Sequence, residues 1–118
     1  MTYVDGFVVA VPKQNIEAYK KLATLAGEVW MEHGALAFNE CVADDVKKGK
    51  WTSFPRSVKL KPGETVMFSW IVYRSRKQRD RVLAKVMKDE RIKSDMLSKP
   101  PFDGKRMIYG GFKSIVEL

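Results

Sequence analysis

One cysteine (Cys41) and one histidine (His33) are all that 118 residues contain of either type. A single thiol cannot close an internal disulfide, so a reducing compartment is expected and the cytoplasm is the expected location. One cysteine and one histidine also fall short of the ligand set of a zinc site. No apolar run approaches the ~20 residues that a membrane helix needs, so no membrane partner is expected. The opening MTYVDGFVVAVPK has a short apolar run without a basic stretch before it or a small-residue cleavage site after it; it reads as a strand and not as a leader. A glycine-rich phosphate loop is also missing, because Gly110-Gly111 lies inside a strand pattern with no helix after it.

What is present is the composition of a folded protein, 45% hydrophobic and 31% charged, with the length of one domain spanning residues 1–118. The net charge of +8 is unevenly placed. Between Arg74 and Lys93 nine Lys/Arg stand against three acids, so this stretch alone carries +6. Such a helix could meet phosphates or an acidic partner. The plainer reading is a solvated face that keeps the protein soluble.

Thr2 to Val11 reads as a first strand, with Phe7, Val9 and Val11 on one face and Gly6, Val8 and Ala10 on the other. Gly6 marks a close approach or a bulge. Asn15 is placed to cap a helix from Ile16 to about His33, apolar at Ile16, Tyr19, Leu22, Ala23, Ala26, Val29 and Trp30, and closed by Gly34. Ala35 to Ala43 is a second strand in which Glu40 shares a face with Leu36, Phe38 and Val42. From Val46 to Glu64 the pattern is ambiguous: Ser53-Phe54-Pro55-Arg56 predicts the cap and first turn of a short helix, and an extended hairpin competes with it. Thr65 to Tyr73 is the strongest strand, with Val66, Phe68, Trp70 and Val72 on one face and Met67, Ser69, Ile71 and Tyr73 on the other. Ser75 and Gln78 form a capping box for a second long helix that buries Val82, Leu83, Val86 and Met87 and wets Arg81, Lys85 and Lys88. A short helix from about Glu90 to Leu97 and a last strand from Lys105 to Glu117 follow; Gly110-Gly111 inside that strand points to a bulge or a backbone approach.

The order strand, helix, strand, strand, helix, strand predicts an α+β, ferredoxin-like βαββαβ unit: a four-stranded antiparallel sheet with both long helices on one face. Strands one and three are apolar on both faces, so the second sheet face also needs a cover. A second copy is the simplest one, which predicts a homodimer in which two sheets form a dimeric α/β barrel.

Three stretches carry a resemblance across essentially the whole chain: EHGALAFNECVADDV (residues 32–46), ETVMFSWIVY (64–73) and PFDGKRMIYGGF (101–112). They resemble a family of small bacterial proteins, domain-of-unknown-function family 1428, which is similar to the dimeric α/β-barrel superfamily. The resemblance implies the fold reached above. Relatives in the superfamily include cofactor-free oxygenases, haem-degrading enzymes, isomerases and stress proteins, so kinship alone does not select a function.

The expected site is a pocket between sheet and helices or at a dimer seam, with Glu40 and His33 as catalytic groups and Trp70, Tyr109 and Arg106 as substrate contacts. The chemistry would be proton abstraction from an activated carbon or phenol. A carboxylate among apolar groups has a raised pKa, an imidazole relays protons near neutrality, and aromatic walls hold a flat organic ligand. The competing reading pairs Glu40 with an arginine, within the chain or across the dimer. His33 sits at a helix end, where capping is the commoner role and haem ligation a poor fit. Cys41 and Trp30 read as core residues. No cofactor is expected. A small organic ligand is the expected partner; nucleic acid is not, since the dimer uses the sheet face on which ferredoxin-like RNA binders stack bases. Two other functions stay open: an acidic-partner or nucleic-acid module using the basic helix, and a regulatory or stress protein without catalysis.

Overall fold

Alternating apolar residues set β1 (Tyr3–Pro12) between β3 (Glu64–Tyr73) and β4 (Ile108–Lys113), and β2 (Ala37–Val42) completes an antiparallel sheet of order β2-β3-β1-β4 on the far side of β3. This is the ferredoxin-like arrangement, seen in a computed structural model that describes residues 1–95 and 99–118. The helices are α1 (Ile16–Glu32), α2 (Phe54–Ser57), α3 (Arg76–Lys88) and α4 (Glu90–Asp95). The short helix foreseen after Lys88 is α4; its expected end at Leu97 lies outside the described residues.

Both faces follow the predicted alternation. On the inner face Val29 of α1, Val82 and Val86 of α3 and Ile92 of α4 pack on Ile71 and Tyr73, while Tyr19 packs with Val9, Val11 and Met67. Burying a valine of this kind stabilises by roughly 1.5 kcal/mol or more. On the outer face the segment around α2 folds back so that Val58 meets Val8, Ala10 and Val66. It therefore covers one end of the face that the sequence assigns wholly to a second copy. The rest of the face is less covered: Phe112 is 65% exposed, and Phe68, edge-on to Phe54 of α2, is still 42% exposed.

Several local expectations need correction. Asn15 occupies the cap position of α1 but makes no side-chain cap; its amide donates to the Pro101 carbonyl at 3.1 Å instead. Between residues 46 and 64 the helix prevails over the hairpin, because Ser53 accepts from the Arg56 N–H at 3.1 Å and Pro55 sits in the first turn. Ser75 likewise accepts from the Gln78 N–H, but the Gln78 side chain reaches the Arg74 N–H and not that of Ser75, so the reciprocal half of the box is displaced by one residue. Met87, expected in the core, is 54% exposed.

The last strand is shorter than its pattern. Pairing runs only from Val8↔Ile108 to Tyr3↔Lys113, and Gly104–Arg106 forms a 3-10 turn capped by Asp103. Gly110 and Gly111 do not bulge: they face Gly6 and Asp5 in unbroken register. Glycine at 111 has another cause, since a Cβ there would strike the Tyr3 ring. Gly34 closes α1 as expected, with φ of 118°, and its carbonyl accepts from the Gln78 side chain at 2.9 Å.

Candidate functional site

Small residues on α1 leave space above the sheet. Where Ala23 and Ala26 face Val9, Ser69 and Ile71, side chains are too short to meet, and a cavity of about 200 Å³ remains. Its walls are aromatic: Phe7 from β1, Phe38 from β2, Tyr19 and Trp30 from α1, and Phe102 from the loop before β4. Phe38 can lie flat against α1 because residue 27 is glycine; a Cβ there would be 2.9 Å from its ring.

Glu40 projects into this apolar space from β2. The Tyr19 hydroxyl donates to its carboxylate at 2.7 Å, and Ser69, directly opposite in the β2–β3 register, donates as well. Among the described residues no arginine or lysine forms an ion pair with Glu40, so within the chain a tyrosine and a serine stand where the competing reading put an arginine. Burial is the largest influence on Glu40 and raises its pKa above 4.5, against the lowering effect of the two hydroxyl donors. Burial also pushes the Tyr19 phenol up, and the neighbouring carboxylate adds to that.

The sign for stability follows. With a folded pKa above the unfolded one, the contribution of Glu40 is fully present below pH 4.5 and is lost as pH rises through the raised value. Glu40→Gln keeps the Tyr19 donor satisfied and removes the charge. It is expected to raise stability at pH 7 by about 1 kcal/mol and to be neutral near pH 4. Urea titrations at both pH values check this; equal effects at both would contradict it.

A second buried polar chain abuts the cavity. The Trp30 indole N–H donates to the Tyr73 hydroxyl at 3.1 Å, Tyr73 donates to Asp5, and Asp5 accepts from Arg79 at 2.9 Å. Arg79 also lies over the Tyr3 ring, 5.0 Å from its centre. Burial raises the Asp5 pKa, although the Tyr73 hydrogen bond and the Arg79 charge pull it down.

Of the five residues that the sequence gathers into one pocket, the structure places only Glu40 on the cavity wall. His33 ends α1 and bonds Asp89 at 2.9 Å; Asp89 is held well below the usual carboxylate range, first by Arg91 and then by His33. Trp70 lies on the outer face, 5.6 Å from the Phe68 ring, because strand alternation sets it opposite to Ser69 and Ile71. Tyr109 stacks on Phe7 at 6.2 Å but is 72% exposed at the β4 edge. Arg106 is engaged with Glu64 at 2.7 Å and 2.8 Å, away from the cavity.

Tyr19, Ser69 and Asp5 escape sequence reading as polar participants, and Trp30 is a cavity wall as well as a core residue. Asp5 carries the same signal as Glu40, a carboxylate at an inward strand position. Among the described residues there is no cluster of three or more His, Cys, Asp or Glu able to hold a metal, and no helix long and apolar enough to cross a membrane.

The fold has a solved counterpart. A structure named "Putative antibiotic biosynthesis monooxygenase from Nitrosomonas europaea" superposes with a TM-score of 0.60 over 97% of this chain and 90% of that one, at 14% identity, a likeness of fold alone. In sequence, "Uncharacterized protein YbaA" of Escherichia coli strain K12 is 50% identical over 117 residues, 99% of each chain, and the protein of the same name in Shigella flexneri matches equally. The family described as "Protein of unknown function (DUF1428)" matches residues 2–104. With that match and those relatives, the chain belongs to the DUF1428 family.

Proposed function

We propose that the chain binds a small aromatic molecule in the cavity between α1 and the sheet, with Glu40 as its proton acceptor. The observation that carries this reading is a half-buried carboxylate in an aromatic cavity, held by two hydroxyls and by no cation among the described residues. Structural acids buried this far are usually ion-paired. An acid without a cationic partner, its pKa raised by burial, is suited to take a proton from a ligand. Proton removal from an activated carbon or phenol is the shared first step of cofactor-independent oxygenases and isomerases, and the fold of a monooxygenase-named protein is compatible with that class. Phenol titrated into labelled protein is expected to shift the Trp30 indole N–H resonance. Filling the cavity with Ala26→Leu is expected to abolish that shift while the protein stays folded. A shift that persists in the filled variant would sink the reading.

The homodimer is part of the same proposal. Phe68 and Phe112 on the less covered part of the outer sheet face form an apolar patch that a second sheet would bury. Light scattering at micromolar concentration is expected to give twice the chain mass, and Phe68→Glu to halve it. A wild-type monomer would refute the dimer.

A further inference from the structure

The charges around the cavity are unlike those of the protein as a whole. The chain carries +8, yet Glu40 is the one side chain of fixed charge type on the cavity wall among the described residues; no Lys, Arg or His joins it. The outer groove that shares Tyr19, Ala23, Phe38 and Glu40 with the cavity adds Glu17, Glu28 and Lys20, three acids against one base when Glu40 is counted. The groove beside the cavity is thus locally acidic on a strongly basic molecule.

We infer that the cavity selects a cationic ligand, a small arylalkylamine whose ammonium group rests on Glu40 while its ring lies among the aromatic walls. The inference rests on the cavity function proposed above and specifies its ligand. Three physical points support it. First, an ionised carboxylate has about four lone-pair sites, of which Tyr19 and Ser69 use two, leaving room for the donors of an ammonium. Second, the aromatic walls Tyr19, Trp30 and Phe38 offer ring quadrupoles that attract a cation and give no such attraction to a neutral or anionic group. Third, a carboxylate or phenolate ligand would meet the Glu40 charge with no cation to offset it. The cavity of about 200 Å³ lies below the roughly 300–1,000 Å³ of drug-sized sites, so the fit is one ring with a short arm.

The test uses three molecules of one shape: 2-phenylethylamine, 2-phenylethanol and phenylacetate, each titrated into the full chain at pH 7 with the Trp30 indole resonance as readout. The amine is expected to bind roughly tenfold or more tighter than the alcohol, as a charge-assisted hydrogen bond allows, and phenylacetate not at all. Glu40→Gln, checked for folding by its melting curve, is expected to remove the advantage of the amine over the alcohol. If the alcohol matches the amine, if phenylacetate binds best, or if the amine preference survives Glu40→Gln, the cation inference is overturned and the cavity reading stands. If none of the three molecules shifts Trp30, both fail together.

Discussion

Asp5→Ala is expected to cost about 3 kcal/mol of folding stability, because it leaves the Arg79 guanidinium buried without its partner. The two side chains are 8% and 17% exposed and 2.9 Å apart, so water cannot replace the lost carboxylate. Asp80, at 2.9 Å from the Arg79 Nε, compensates only in part, since it is 58% exposed. The damage also spreads. Tyr73, fully buried, loses the acceptor of its hydroxyl, and Trp30 is then held by a group free to rotate. Asp5→Asn keeps the shape and an acceptor but removes the charge, and is expected to lose less. The pair Asp5→Leu with Arg79→Met removes both charges and is expected to recover most of the loss, since a buried ion pair is rarely better than well-packed apolar groups. Urea unfolding of wild type and the three variants measures these differences. A cost under about 1 kcal/mol for Asp5→Ala would mean that the pair is solvated and the network contributes little.

The contrast between what was legible in the sequence and what was not follows from the range of the interactions. Strand faces were readable because alternation is local: Phe7, Val9 and Val11 point one way whatever they meet. The short helix after Ser53 was readable for the same reason, since Ser53, Pro55 and Arg56 make its cap within one turn. Of the cavity wall, Glu40 was read from the sequence as a polar group. Its partners Tyr19 and Ser69 are distant in sequence, and only the register that sets Glu40 opposite Ser69 identifies one of them. Two polar side chains have partners remote in sequence. His33 finds Asp89 and Asn15 finds Pro101 across the fold, and no local pattern signals either contact. Trp70 differs: it lies on the face that the alternation assigns, but nothing local shows that Glu40 faces the other side of the neighbouring strand.

Arg106→Ala is expected to lower stability at pH 7 and to matter much less at low pH. Arg106 grips Glu64 with two nitrogens, and its NH1 also donates to the Lys59 carbonyl at 3.0 Å and the Val58 carbonyl at 3.3 Å. It therefore ties the turn before β4 to the segment that seats Val58 on the outer sheet face, where Lys59 takes the uncommon φ of 50°. The Arg106 hydrogen bonds hold the Glu64 pKa at about 2, against 4.5 ordinarily. A depressed pKa gives stability that is present above pH 4.5 and is lost as pH falls toward 2. Without Arg106 that acid limb should disappear, so wild type and variant should differ least below about pH 2 and be fully separated above pH 5. The same variant separates two roles for this arginine. A residue that only fastens the fold would leave affinity for a cavity probe unchanged while the unfolding midpoint drops. A residue that contacts the ligand would lower affinity in proportion, with the stability change secondary. Because Arg106 lies outside the cavity and its donors are committed to Glu64, Val58, Lys59 and Asp103, the first outcome is expected. Loss of probe affinity at constant stability would instead return Arg106 to the site that the sequence assigned it.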